Sequence, residues 1–239
     1  MSAIINAFIL LMQAAAILTA LPPIEKCQLS DSGCLKKSAQ NALSTFVLGV
    51  PEVGAETLDP MHINTIKIDL SGLKLTLKDS DIQGLKTAAI QKISFDTAKK
   101  QLDLKFNTDI ILKGKYNAGG RLLILPISGD GEATIKIKQL EVQVAMPYTI
   151  AKSSDGKDVI ELKSYKYTYD IVGNAHFELT NLFNGNKELS DAMHTFMNEN
   201  WKAIAQEFGN PMLEKPMAKM YKSIKTYLKS QPLVDITNA

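Results

Sequence analysis

The sequence predicts an α+β protein in which one long antiparallel sheet is followed by a long C-terminal helix. Three observations carry that expectation. From His62 to about residue 180, apolar side chains alternate with polar ones at a period of two, as in half-buried strands. No helical period interrupts that region, so crossover helices are missing and the strands should pair antiparallel. From Leu182 to Ser230 the period changes to that of an amphipathic helix. The chain has 239 residues, 45% of them hydrophobic, which is enough for a sizeable core. No Pro- or Ser-rich linker divides it.

Residues 3–20 are apolar apart from Asn6, Gln13 and Thr19, and close on Leu18-Thr19-Ala20 before Leu21-Pro22-Pro23. A short apolar stretch ending on a small residue, then prolines that stop a helix, reads as a secretory signal peptide over 1–20. It is short and interrupted for a membrane anchor. Residues 21–239 then form a single extracellular domain. Cys27 and Cys34 are the two cysteines, and in an oxidising compartment they are expected to pair. So short a loop is worth about 2–3 kcal/mol, and the bridge mainly pins the N-terminal segment. A metal there would need further ligands, and the nearest histidine in sequence is His62.

Leu35, Ala39, Leu43, Phe46 and Val47 recur at helical spacing over residues 35–50, with Ser32 as N-cap and Gly49, Pro51 and Gly54 as stop signals. The stripe reads as ordinary core packing. Ile66, Ile68 and Leu70 then alternate in one phase and Leu73, Leu75 and Leu77 in the other, which makes Gly72 a bulge or sharp bend. Further alternating runs hold Leu102, Leu104 and Phe106; Ile135 and Ile137; Val142, Val144 and Met146; and Tyr165, Tyr167, Tyr169 and Ile171. Turn signals separate them at 98–100, 117–120, 129–131 and 153–156.

The terminal helix carries two apolar stripes. Leu189, Met193, Phe196, Met197, Trp201, Ile204 and Phe208 share one face, whereas Met217, Met220, Tyr221, Ile224 and Leu228 fall nearly opposite. Lys215, Lys219, Lys222 and Lys229 take the azimuth that was apolar before. Gly209-Asn210-Pro211 and Pro216 lie between the stripes, so a kink there would return both to one interior. A single straight helix of about forty residues would run about 60 Å, against about 45 Å for a compact globule of this size.

Composition and motifs exclude several classes. Lys and Arg exceed Asp and Glu by only two, without basic runs interleaved with aromatics, so no nucleic-acid surface is indicated. There is no G-x-S-x-G, H-E-x-x-H, Walker loop or glycine fingerprint after a strand. Gly119-Gly120 and Gly129-Asp130-Gly131 sit between alternating runs and read as hairpin turns. His62, His176 and His194 fall in separate elements without ligand spacing, and no enzyme activity is expected. Methionines concentrate from Met193 onward, and flexible Met side chains suit adaptable apolar walls as well as core gaps.

One set of motifs spans the chain. It comprises Cys27 and Cys34, Leu58-Asp59-Pro60, Gly119-Gly120-Arg121-Leu122-Leu123-Ile124-Leu125-Pro126-Ile127 with Gly129-Asp130-Gly131, Thr180-Asn181-Leu182-Phe183-Asn184-Gly185-Asn186, and Asn198-Glu199-Asn200-Trp201. In order and spacing it resembles the Takeout and juvenile-hormone-binding proteins of insects, the moth Takeout-like members above all. That resemblance implies a strongly curved long antiparallel sheet wrapped around the C-terminal helix, a tubular lipid-binding-like super-roll with an internal hydrophobic tunnel. It implies a carrier without cofactor or metal, holding a juvenile hormone-like terpenoid or another long-chain lipid.

On that reading the tunnel is lined by Phe46, Leu104, Leu125, Val144, Met193, Met197, Trp201, Ile204, Met220, Tyr221 and Ile224. One of Tyr165, Tyr167 and Tyr169 could offer a hydroxyl to a ligand head group. The expected partner is a hydrophobic small molecule, delivered to a membrane or receptor by a monomer that does not insert stably into the bilayer. Moving about fifteen carbons out of water gains about 12 kcal/mol. Association costs of about 4 kcal/mol leave roughly 8, or about micromolar affinity. Such a carrier needs little sequence signature beyond shape and lining. The alternative is an extracellular interaction or signalling protein that uses the fold without a dedicated cargo.

Overall fold

Two strands set the shape of the molecule. The computed structural model describes Pro22 and residues 24–238; the expected signal peptide lies outside the described residues. Strand β4, the fourth in chain order, spans Gln101–Leu122, and β5 spans Leu125–Lys152. They pair antiparallel from Gln101 opposite Pro147 to Leu122 opposite Leu125. A straight strand of 28 residues would be about 90 Å long, far more than a globule of this size allows. The ribbon must curl.

The bend gathers at one belt across the sheet. Below it β4 pairs with β3 (Ala89–Asp96) through residues 101–107; above it β4 pairs with β2 (Leu73–Gln83) through 111–120. On the other side β5 exchanges β8 (Ala175–Leu179), paired through 133–137, for β7 (Lys166–Ile171), paired through 140–145. The β4–β5 register shifts at that point, between Thr108 and Ile110, and the β2–β4 register shifts between Lys78 and Asp81. Such bulges bend and twist a sheet. Strand β1 (Met61–Leu70) extends the upper half beyond β2, and β6 (Asp158–Leu162) pairs with the end of β5 in the lower half.

Asp109 fastens the belt. Its carboxylate accepts from Lys138 Nζ at 2.7 Å and from the Gln139 N–H at 2.8 Å. The Lys138 hydrogen bond, with the Gln139 N–H, holds this carboxyl below its ordinary value of 3.8. A depressed carboxyl contributes stability that is present above that ordinary value and lost as pH falls below it. Asp109→Asn should therefore lower stability at neutral pH, by under about 1 kcal/mol because the pair is solvent-screened. Below about pH 4 the difference between the urea midpoints of the two proteins should close.

Among the described residues four α-helices complete the fold: α1 (Ser32–Phe46), α2 (Lys187–Glu199), α3 (Trp201–Ser230) and α4 (Leu233–Ile236). Side chains on three of them bond to strand edges. Gln40 of α1 donates from Nε2 to the Ala88 carbonyl at 3.0 Å and accepts from the Ile90 N–H at 2.7 Å, as a neighbouring strand would. Asn198 of α2 does the same at Phe177, while His194 Nε2 accepts the Leu179 N–H at 3.0 Å. Along β1, Lys215 and Lys219 of α3 donate to the carbonyls of Thr65 and His62. Tyr167 and Tyr169 of β7 donate to the Asn210 and Ala205 carbonyls on another side of α3. Covering edges in this way leaves fewer strand groups open to another chain.

Several sequence expectations need correction. Helix α3 is continuous through Gly209, Pro211 and Pro216, and the long C-terminal helix is interrupted instead at Asn200 (φ −103°, ψ 21°). No break is needed at the prolines because β1 flanks α3 on one side and β6 and β7 on another. Ile204 and Phe208 can then be buried in the first half and Met217, Met220 and Tyr227 in the second. Lys215 and Lys219 cap the edge of β1. The cap of α1 is Asp31, whose carboxylate accepts the Cys34 N–H at 2.9 Å, and the helix ends at Phe46.

The glycine pairs are not turns. Gly119 and Gly120 lie within β4, Gly129 and Gly131 within β5, and the hairpin turns at Leu123 and Ile124. A Cβ on Gly129 would stand 2.6 Å from Tyr116 Oη, and one on Gly131 2.7 Å from the Thr180 carbonyl oxygen. Close approach, not chain reversal, demands glycine there. Gly72 does sit in a turn: with Ser71 it forms the two-residue loop of the β1–β2 hairpin, both residues at positive φ.

Candidate functional site

The lower half of the roll holds a partly open cavity of about 210 Å³ between the sheet, α1 and the C-terminal half of α3. Its sheet wall follows from strand parity. Leu102, Leu104 and Phe106 alternate along β4 and face one side, with Met146 opposite Leu102 on β5. On β3, Ile93 and Phe95 share a parity, and the register shift between Ile90 and Lys92 brings Ile90 round to the same wall.

Helix α1 supplies the facing wall through Leu35, Ala39, Ala42, Leu43 and Phe46, which recur every three or four residues. Two anchors set its position: the Gln40 amide on the β3 edge and the Cys27–Cys34 disulfide at its first turn. Helix α3 adds Met220, Ile224, Tyr227 and Leu228, again at helical spacing. The rings of Phe46 and Tyr227 meet edge to face at 5.4 Å, joining the two helices at the cavity.

Segments near the two ends of the described chain line the remaining side. Ile24 and Leu29 line it from the N-terminal segment, Ile236 from the end of α4 and Thr237 from just after it. Backbone bonds tie these segments together: Cys27 N–H donates to the Ile236 carbonyl and Asn238 N–H to the Cys27 carbonyl, each at 3.3 Å. One disulfide thus links the start of α1 to a segment that also clasps the C-terminus.

The wall is almost wholly apolar. Glu25, Ser38, Tyr227 and Thr237 are its polar members, and no Lys, Arg or His is among them. Such a surface offers a ligand little charge or hydrogen bonding and gains from any hydrocarbon it removes from water. Among the described residues, no group of three or more His, Cys, Asp or Glu side chains comes together to hold a metal.

Of the residues expected to line a tunnel, Phe46, Leu104, Met220 and Ile224 lie on this wall. The other seven are placed elsewhere. Val144 is opposite Leu104 in the β4–β5 pair but is packed into the core, as are Met193, Met197 and Ile204. Leu125 lies at the hairpin tip, at the far end of β4 from the cavity strands. Trp201 opens α3, and Tyr221 stacks on Tyr165 at 4.6 Å. Tyr167 and Tyr169 have their hydroxyls on α3 carbonyls.

Reasoning from sequence did not pick out Ala39, Ala42, the β3 side chains or Tyr227 as wall residues. The α1 stripe was visible, but small residues on a stripe read as packing until something stands opposite them. The motifs that span the chain turn out to be mostly structural. Thr180 exchanges bonds with Glu132, Tyr116 Oη donates to the Thr180 carbonyl, and Asp59 accepts the N–H groups of Gly84 and Lys86.

Comparison with known proteins adds to this picture. The sequence pattern of the family described as haemolymph juvenile hormone binding protein (JHBP) matches residues 7–238. The crystal structure of Takeout 1 from Epiphyas postvittana superposes with a TM-score of 0.88 at 45% identity, covering 90% of this chain and all of that one. The circadian clock-controlled protein daywake of Drosophila melanogaster is 32% identical over 215 residues, which is 84% of this chain and 82% of that protein. Juvenile hormone-binding protein of Manduca sexta is 23% identical over 176 residues, 71% of each.

Proposed function

We propose, since this chain belongs to the haemolymph juvenile hormone binding protein family, that it is a secreted carrier of an extended hydrophobic small molecule. A juvenile hormone-like terpenoid or another long-chain lipid is the cargo class. The observation that carries the reading is the apolar cavity between α1, α3 and the lower half of the sheet. A cavity so lined binds through removal of hydrocarbon from water, at about 0.8 kcal/mol per methylene. The names of its relatives point the same way, one of them a juvenile hormone-binding protein. The Cys27–Cys34 bridge agrees with passage through an oxidising compartment. No helix among the described residues is long and apolar enough to cross a membrane.

The test is recovery of cargo. Protein secreted from insect cells should release a lipid on organic extraction and show a matching mass increment in native mass spectrometry. It should also take up a long-chain fluorescent probe. Repeated recovery of empty protein that takes up no probe would sink the carrier reading and favour an interaction protein built on the same fold.

A further inference from the structure

Four polar side chains belong to the cavity wall, and three are already committed. Ser38 Oγ donates to the Glu25 carbonyl at 3.2 Å and accepts the Glu25 N–H at 2.9 Å. Thr237 Oγ1 donates to the Leu233 carbonyl at 2.7 Å. The Glu25 carboxylate is half exposed and turned to Lys37 and Asn41. Tyr227 is different. It is 6% exposed, yet its hydroxyl has no hydrogen bond among the described residues. Tyr227 Oη is not among the fully sealed oxygens without partners, which are Ser80 Oγ and Tyr221 Oη.

The ring of Tyr227 is held in place edge to face against Phe46, another wall residue. Burial pushes its phenol up to about 12, so the group is a neutral donor throughout the physiological range. On an otherwise apolar wall, a hydroxyl without a protein partner offers a ligand oxygen a hydrogen bond that hydrocarbon cannot.

We infer that Tyr227 reads the polar end of the cargo, donating a hydrogen bond to an uncharged acceptor oxygen on an otherwise hydrocarbon chain. A ketone, ester or ether oxygen fits. A carboxylate does not, because the wall carries no cation to pair with it. The inference rests on the carrier reading and adds the chemical class of the head group and the residue that selects it.

The experiment uses the full, disulfide-bonded chain and displacement of bound N-phenyl-1-naphthylamine by 2-pentadecanone and by pentadecane. Tyr227→Phe should weaken the ketone about fivefold, the worth of one neutral hydrogen bond, and leave the alkane unchanged. Equal weakening of both would make Tyr227 a packing residue, and no change in either would leave it uninvolved; each result overturns the inference. Failure of the parent protein to take up either compound would overturn the carrier reading along with it. A second measurement needs no variant. The ¹³C-labelled carbonyl of the ketone bound to the parent protein should absorb at lower infrared frequency than in hexane, and an unshifted band would also overturn the assignment.

Discussion

Ala42→Phe should abolish cargo uptake while leaving the protein folded. Ala42 is 7% exposed and lines the cavity from α1, so a benzyl group there should project into it. Excluding about four methylenes of a ligand forfeits about 3 kcal/mol, or roughly a hundredfold in affinity. Filling a void is close to neutral for stability, so the melting temperature should hold or rise slightly. The measurement pairs probe uptake with thermal unfolding. Retained uptake in a folded Ala42→Phe protein would mean the cargo sits elsewhere, with the upper half around Met193 and Met197 the next place to look.

Gly84→Ala should be among the most damaging single substitutions in the chain. Gly84 lies at the belt, with φ +125° and ψ −14°, a conformation that L side chains rarely adopt. A Cβ there would stand 1.9 Å from the Asp109 carbonyl oxygen, a backbone atom that cannot rotate away. The peptide groups at Gly84 are also bonded: its N–H donates to Asp59 Oδ2 at 3.1 Å and its carbonyl accepts from Thr108 Oγ1 at 2.6 Å. Moving the backbone to relieve the clash disturbs both bonds and the bulge behind them. A cost of about 4 kcal/mol or more is expected.

Gly156→Ala provides the control. That glycine also has positive φ, at +79°, but nothing lies within 4 Å of an added Cβ. Conformational strain alone should cost about 1 kcal/mol there. If urea denaturation shows equal losses at the two sites, the close approach at Gly84 is not what the fold depends on.

The alternation of apolar residues made the strands legible because a pleated strand with one buried face repeats every two residues. Leu102, Leu104 and Phe106, or Val142, Val144 and Met146, announce their faces without reference to anything distant. The glycines misled for a related reason. Between apolar runs, Gly-Asp-Gly has the local chemistry of a turn, and only Tyr116 and Thr180, which lie outside that segment, show that it marks a close approach instead. Proline carries the same ambiguity. Pro211 and Pro216 are local signals of a break, but flanking strands remove the need for one.

Four of the eleven residues expected to line a tunnel lie on the cavity wall. Phe46, Leu104, Met220 and Ile224 belong to the cavity wall, whereas Val144, Met193, Met197 and Ile204 have the same composition and periodicity and fill the core. No local property separates the two sets, since a side chain facing space and one facing another side chain are equally apolar.

The sequence by itself determined that this protein is a long antiparallel sheet with an amphipathic C-terminal helix and paired cysteines at its N-terminal end. Each follows from interactions a few residues apart: pleat alternation, helical periodicity and the spacing of two thiols. Only the tertiary structure decided where the sheet bends, that α3 runs unbroken from Trp201 to Ser230, and that the space lies beside α1. Those depend on distances between groups far apart in the chain. A cavity is a property of what does not meet, and periodicity records only which side a residue turns toward.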